Sequence, residues 1–138
     1  IVGCLVGSEM CIRDRYLTSY WADGLIISTP TGSTGYSLSC GAPVIMPESN
    51  SLVLTPIAPH NLNARPLVIP DKHQIKLKIS GREDEFLISL DSRILSLKNT
   101  ITLNISKANY NINMVELNER SFIETLRKKL LWGVDQRN

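Results

Sequence analysis

Between Thr29 and Ser39 the sequence reads Thr-Pro-Thr-Gly-Ser-Thr-Gly-Tyr-Ser-Leu-Ser, a run of hydroxyls and glycines around a single phenol. Thr31, Ser33, Thr34, Ser37 and Ser39 are compact groups that both donate and accept hydrogen bonds. Gly32 lets the backbone approach a ligand closely, and Gly35 removes a second Cβ nearby. Tyr36 offers an aromatic face with a polar tip. Such a set suits a ligand made of sugar and base: hydroxyls for the ribose, backbone N–H groups for an anion, a ring for stacking. The same residue types also build a turn and a helix cap, so taken alone they leave both readings open. Neighbouring phosphate motifs do not fit, because the loop lacks the lysine and spacing of a Walker A sequence and the glycine fingerprint of a Rossmann unit. The only histidines, His60 and His73, read as surface residues with no nucleophile beside them. Cys4, Cys11 and Cys40 show neither metal-ligand spacing nor a disulfide framework, and a reducing, cytoplasmic setting is expected.

The elements that must position this loop are mostly strands. Residues 16–21 are aromatic or β-branched with some alternation and predict a strand. Asp23-Gly24 predicts a turn, 25–28 a short buried strand, and 33–39 a short helix closed by Gly41 and Pro43. The runs 52–57 and 67–69 follow, bounded by prolines. Over 73–79 the alternation is clean, with Ile75, Leu77 and Ile79 on one face and Lys76 and Lys78 on the other. Further strands are predicted around 86–90, 94–97, 101–105 and 112–114, separated by polar turns. The spacing predicts a mainly β protein, an antiparallel β-sandwich-like domain rather than βαβ units. Only 120–132 changes period: Phe122, Ile123, Leu126, Leu130 and Leu131 form an apolar stripe, basic residues cluster near the end, and Gly133 is a stop.

Composition narrows the class. With 138 residues, 43% of them hydrophobic and 20% charged, the chain has room for one globular domain. The net charge of +2 is dispersed, and no basic stripe argues for a nucleic-acid partner. No apolar run approaches the roughly 20 residues that a membrane-spanning helix needs.

A family resemblance gives the loop a narrower meaning. The stretch from Asp23 to Ser37 resembles the signature of NAD kinases, and the likeness continues through Leu38-Ser39-Cys40-Gly41-Ala42-Pro43. It resumes at Leu54-Thr55-Pro56-Ile57-Ala58-Pro59-His60, at Ala64-Arg65-Pro66-Leu67-Val68-Ile69-Pro70, and at the ending with Leu130-Leu131-Trp132-Gly133. The resemblance implies a C-terminal β-rich domain that pairs with an N-terminal α/β domain. The implied reaction moves the terminal phosphoryl group of ATP, with Mg as divalent metal, to the 2′-hydroxyl of the adenosine ribose of NAD, giving NADP. In the family the base is an aspartate of a Gly-Gly-Asp-Gly motif, which does not occur in this sequence. No catalytic residue is therefore assigned within it, and this chain is expected to be the NAD-holding half, inactive alone.

Carried over residue by residue, the resemblance implies that Thr34 and Tyr36 line the adenosine pocket and that Ser39 adds a hydroxyl there. It implies that Asp23 reaches the nicotinamide amide, in many members across a subunit interface; as a sequence feature, Asp23 equally forms a turn before Gly24. Thr31, Gly32, Ser33 and Gly35 are further candidates in the loop. Asp91 stands where the family usually has Asp-Gly, near the ligand and a subunit contact, and turn chemistry explains it as well. Arg65 reads as structural. Gly35 replaces a common alanine, Ala42 a common glycine and Ser92 a common glycine, the last at a turn that favours positive φ. NAD and ATP are the implied partners, in a homodimer or homotetramer. Two other readings stay open: a diacylglycerol-type lipid kinase of related fold, and a β-sandwich binding module without chemistry.

The first residues have a different texture. Val6-Gly7-Ser8-Glu9-Met10-Cys11-Ile12-Arg13-Asp14 resembles a peptide obtained when sequencing-adapter DNA is translated. Residues 1–15 are accordingly expected to stand outside the fold, with the domain running from 16 to 138.

Overall fold

The computed structural model describes residues 2–113, 115 and 121–133, with side chains from residue 7 onward. Among these, β1 (Val2–Ile12) and β2 (Arg15–Ser28) lead into a 3₁₀ turn (Thr31–Thr34) and α1 (Tyr36–Ser39). Then come β3 (Ser51–Ile57), β4 (Leu67–Pro70), β5 (Ile75–Gly81), β6 (Glu85–Leu90), β7 (Arg93–Lys98), β8 (Thr102–Ile105) and α2 (Phe122–Leu130). The chain divides into two units, Ile1–Lys107 and Ala108–Asn138.

The first unit is mainly β, and every strand pair is antiparallel. Its eight strands share one sheet of order β4-β3-β2-β1-β5-β8. The sandwich-like expectation takes the form of a sheet that divides at β1. Residues 6–12 of β1 pair with β5, whereas Val2 and Gly3 pair with β6, which carries β7. Met10, Tyr20, Leu25, Leu54, Ile75, Leu77 and Phe86 meet in one core that draws on both branches. The predicted alternation of β5 holds, with Ile75, Leu77 and Ile79 buried and Lys78 exposed.

Residues 2–12 form a paired strand, with Met10 and Ile12 in register with Leu77 and Ile75. One local expectation is corrected: Asp23 and Gly24 do not form a turn. They lie inside β2, where Gly24 pairs with Gly3 on one side and Ile57 on the other. The pair instead marks where β2 changes its core-facing parity, from Tyr20 to Leu25 and Ile27. Opposite this point two residues of β1, between Gly3 and Val6, face one residue of β2, which is the count of a β-bulge.

The β1–β2 hairpin closes through Arg13 and Asp14 between the paired residues Ile12 and Arg15. Both turn residues have positive φ, 52° and 59°. A two-residue turn of this kind favours Asn-Gly, since a left-handed non-glycine residue costs about 1–2 kcal/mol. Asp14 also pairs with Lys76 and raises the Lys76 pKa through that hydrogen bond, but the contact is exposed and worth less than the strain. Replacing Arg13-Asp14 by Asn-Gly is expected to stabilise the protein by about 1 kcal/mol in denaturant titration, despite the lost pair.

In the second unit α2 carries Arg127, Lys128 and Lys129 in its last turn, favourable for the helix dipole. Lys128 donates to Glu124 at 2.9 Å and holds its carboxyl below the usual range. That contribution is present above the ordinary carboxylate pKa and is lost as pH falls through the depressed value. The chain leaves the helix at Leu131, with φ 54°, before the predicted stop at Gly133. Ile112 and Asn113 are not in a strand, and Met114 of the predicted last strand lies outside the described residues.

Candidate functional site

The loop after β2 is held from beneath. Leu54 of β3 packs into the core, so by alternation Val53 and Thr55 face the other way. On that opposite face the hydroxyls of Ser37 and Thr55 bond at 2.9 Å in a fully buried setting. Ser33 is 0% exposed. Its hydroxyl donates to the Pro30 carbonyl at 2.6 Å and accepts the Ile45 N–H at 3.0 Å. The predicted short helix thus forms in two pieces, a 3₁₀ turn and α1, joined at Gly35.

The end of α1 explains two sequence features at once. Gly41 has φ 81°, its N–H donates to Leu38, and the Ala42 N–H donates to Ser37. This is a Schellman closure, in which a left-handed residue satisfies the last free carbonyls, and glycine takes it without strain. At Gly35, a Cβ would lie 3.3 Å from the Gly32 carbonyl oxygen, so an alanine would need a small shift here. A Cβ on Gly32 would stand 3.3 Å from that of Ser28, and closeness to β2 restricts this position.

Inward and outward hydroxyls therefore alternate. Ser33 and Ser37 point into the protein and are bonded there, whereas Thr31, Thr34, Tyr36 and Ser39 are exposed. Tyr36 remains 51% exposed, a phenol presented to solvent beside three hydroxyl residues. Thr34 donates back to the Thr31 carbonyl at 3.2 Å, which orients its side chain while leaving its acceptor capacity open. Of the loop candidates, Ser33 is the one whose bonds are spent on the fold. Ser37→Ala is expected to cost about 1–3 kcal/mol in chemical denaturation, because it strands the buried Thr55 hydroxyl, and Ser33→Ala about 1–2 kcal/mol, because its partners are only part-buried.

Asp23 does not join this cluster through the chain. It lies five residues before the end of β2, roughly 17 Å back along an extended strand. Its carboxylate stands 3.8 Å from Nε2 of His60, which the sequence had presented as a lone surface histidine. No sequence periodicity links the two; the only signal was that both sit in stretches of family likeness. Asp91 occupies the β6–β7 hairpin tip, with φ 52°. The left-handed residue there is Asp91 itself and not Ser92, which removes the strain expected at Ser92. Asp91 tolerates this conformation better than most side chains, and its carbonyl accepts the Ser89 hydroxyl at 2.9 Å.

A groove of about 420 Å³ runs beside β2 between Leu17, Tyr20, Trp21, Asn61 and Arg65. Arg65 is structural, as its setting suggested: Nη1 donates to the carbonyls of Leu62 and Ala64 at 2.6 and 2.8 Å and locks that turn. Burial pushes the Tyr20 phenol pKa up. Among the described residues no group of three or more His, Cys, Asp or Glu is placed to hold a metal ion.

Fold and loop together define a β-rich domain that presents hydroxyls and a phenol at one strand end. The family model described as the ATP-NAD kinase C-terminal domain matches residues 2–117, and the chain belongs to that family. A curated NAD kinase of Flavobacterium psychrophilum is 64% identical over 134 residues, covering 97% of this chain and 46% of the relative. One from Christiangramia forsetii is 71% identical with the same coverage. The chain thus spans a little under half the length of these relatives. A crystal structure of yeast NADH kinase complexed with NADH matches with a TM-score of 0.71 at 26% identity, over 95% of this chain and 39% of that one. An NAD kinase from Archaeoglobus fulgidus in complex with ATP matches with a TM-score of 0.70 over 79% of this chain and 44% of that one; at 22% identity the likeness is one of fold.

Proposed function

We propose that the whole protein is an NAD kinase, transferring a phosphoryl group from ATP to the 2′-hydroxyl of the adenosine ribose of NAD, and that this chain is its NAD-holding half. The observation that carries the reading is the division of labour in the 29–39 loop of a chain that belongs to this family. Ser33 and Ser37 anchor the loop, and Thr31, Thr34, Tyr36 and Ser39 are left facing outward for a ligand. In this role Thr34 and Ser39 bond the adenosine portion, Tyr36 packs on it, and Asp23 accepts from the nicotinamide amide. Thr31, Gly32 and Gly35 shape the loop, and Asp91 stays a candidate for the ligand region or a subunit contact.

Phosphoryl transfer rests on positioning and charge stabilisation. This chain's residues contribute the first: they fix the acceptor ribose. The base that orients its hydroxyl belongs to a Gly-Gly-Asp-Gly motif absent from the sequence, so residues outside the chain supply it. In this reading Mg enters with the ATP phosphates. The proposed assembly is a homodimer or homotetramer working in the cytoplasm.

The test is to join the chain to an N-terminal domain carrying the Gly-Gly-Asp-Gly motif and to assay with ATP and Mg. NADP formation supports the reading. Phosphorylation of diacylglycerol in place of NAD, or no transfer to either, overturns it. The 138-residue chain alone is expected to make no NADP in the same assay.

A further inference from the structure

We propose that His60 is a positioning residue for Asp23, holding its carboxylate in the orientation that meets the ligand amide; this rests on the NAD-binding reading above. Three observations carry it. First, the chain bends into place at a strained residue: β3 ends at Ile57 and Ala58 takes φ 44°, a left-handed conformation for a residue with a Cβ. Such strain persists only where the surroundings hold it. Second, the surroundings do hold it. The His60 N–H donates to the Trp21 carbonyl at 2.8 Å, two residues from Asp23 on β2.

Beyond His60 the turn is also closed. Asn61 takes the Ala64 N–H on its carbonyl and the Asn63 N–H on its side chain, both at 3.0 Å, and Arg65 caps it. Third, the result of this bracing is that Nε2 stands 3.8 Å from the Asp23 carboxylate. That distance is too long for a formed hydrogen bond. Sites that act on a ligand commonly close such gaps only when the ligand binds. As an exposed pair it contributes little to stability, so a strained turn that maintains it is better explained by its effect on Asp23.

The experiment uses the full-length protein and follows KM for NAD, kcat and the melting midpoint. His60→Ala is expected to raise KM for NAD about tenfold with kcat changed less than about twofold, the scale of one charge-assisted hydrogen bond. His60→Gln, which keeps an N–H donor, recovers most of the loss. Ala58→Val, a β-branched residue at a left-handed position, raises KM in the same direction. The double variant His60→Ala/Asp23→Ala is expected to be no worse than Asp23→Ala, since His60 acts through Asp23. Additive effects in the double variant, or an unchanged KM in His60→Ala, overturn the proposal. If His60→Ala fails to fold, His60→Leu keeps the bulk without the donor and carries the same cycle to the same decision. A wild-type protein that makes no NADP overturns the NAD reading and this inference with it; one that makes NADP isolates failure to His60.

Discussion

Met10→Ala is expected to destabilise the protein by about 2–5 kcal/mol, the range for truncating a fully buried methionine. The side chain is 0% exposed and packs in the core with Leu77 and Tyr20. Removing its atoms from a strand paired on both sides leaves a cavity that neither β2 nor β5 can close without breaking register. Glu9→Ala, on the opposite and exposed face of the same strand, is the control and is expected to stay within about 0.5 kcal/mol. Urea titration of the three proteins makes the measurement. An unchanged midpoint for Met10→Ala would mean that residues 2–12 are not part of the core, and that the fold starts near residue 16 as the texture of the sequence suggests.

Tyr36→Ala in the full-length protein should raise KM for NAD by about tenfold or more, and Thr34→Ala by several-fold, with little change in melting midpoint. Stacking of a base on an aromatic ring is worth about 1–3 kcal/mol by alanine substitution, which converts to roughly five- to 150-fold in binding. The phenol is half exposed, so its loss removes little core packing. Ser33→Ala should show the reverse pattern, a lower midpoint with a smaller direct effect on KM, because its bonds go to Pro30 and Ile45. If KM does not move in either Thr34→Ala or Tyr36→Ala, the outward face of the loop is not the NAD site.

Much of the strand pattern was legible because a half-buried strand repeats every two residues, and that period survives in the residues themselves. Ile75, Leu77 and Ile79 show it, and so does the Gly41 stop, whose left-handed φ follows from the one residue type that takes it freely. The resemblance from Asp23 to Pro43 likewise needed no structure, and the family it named is the one to which the chain belongs.

Other features were decided only by contacts between distant parts of the chain. Asp23-Gly24 carries turn chemistry, yet pairing with β1 on one side and β3 on the other makes extended backbone the better solution. Residues 2–12 look foreign, yet their alternation fills the place between β2 and β5. Five hydroxyl residues in the 31–39 loop are equivalent by type. Only Thr55 and the Ile45 N–H, reached across the fold, turn Ser37 and Ser33 inward and leave the others exposed. His60 and Asp23 lie far apart in sequence and meet because β3 pairs with β2 and Ala58 turns the chain back. Residue type and period are local properties and can be read along the chain. Which hydroxyl is satisfied, and which histidine faces which carboxylate, depends on long-range pairing, and that pairing exists only in the folded sheet.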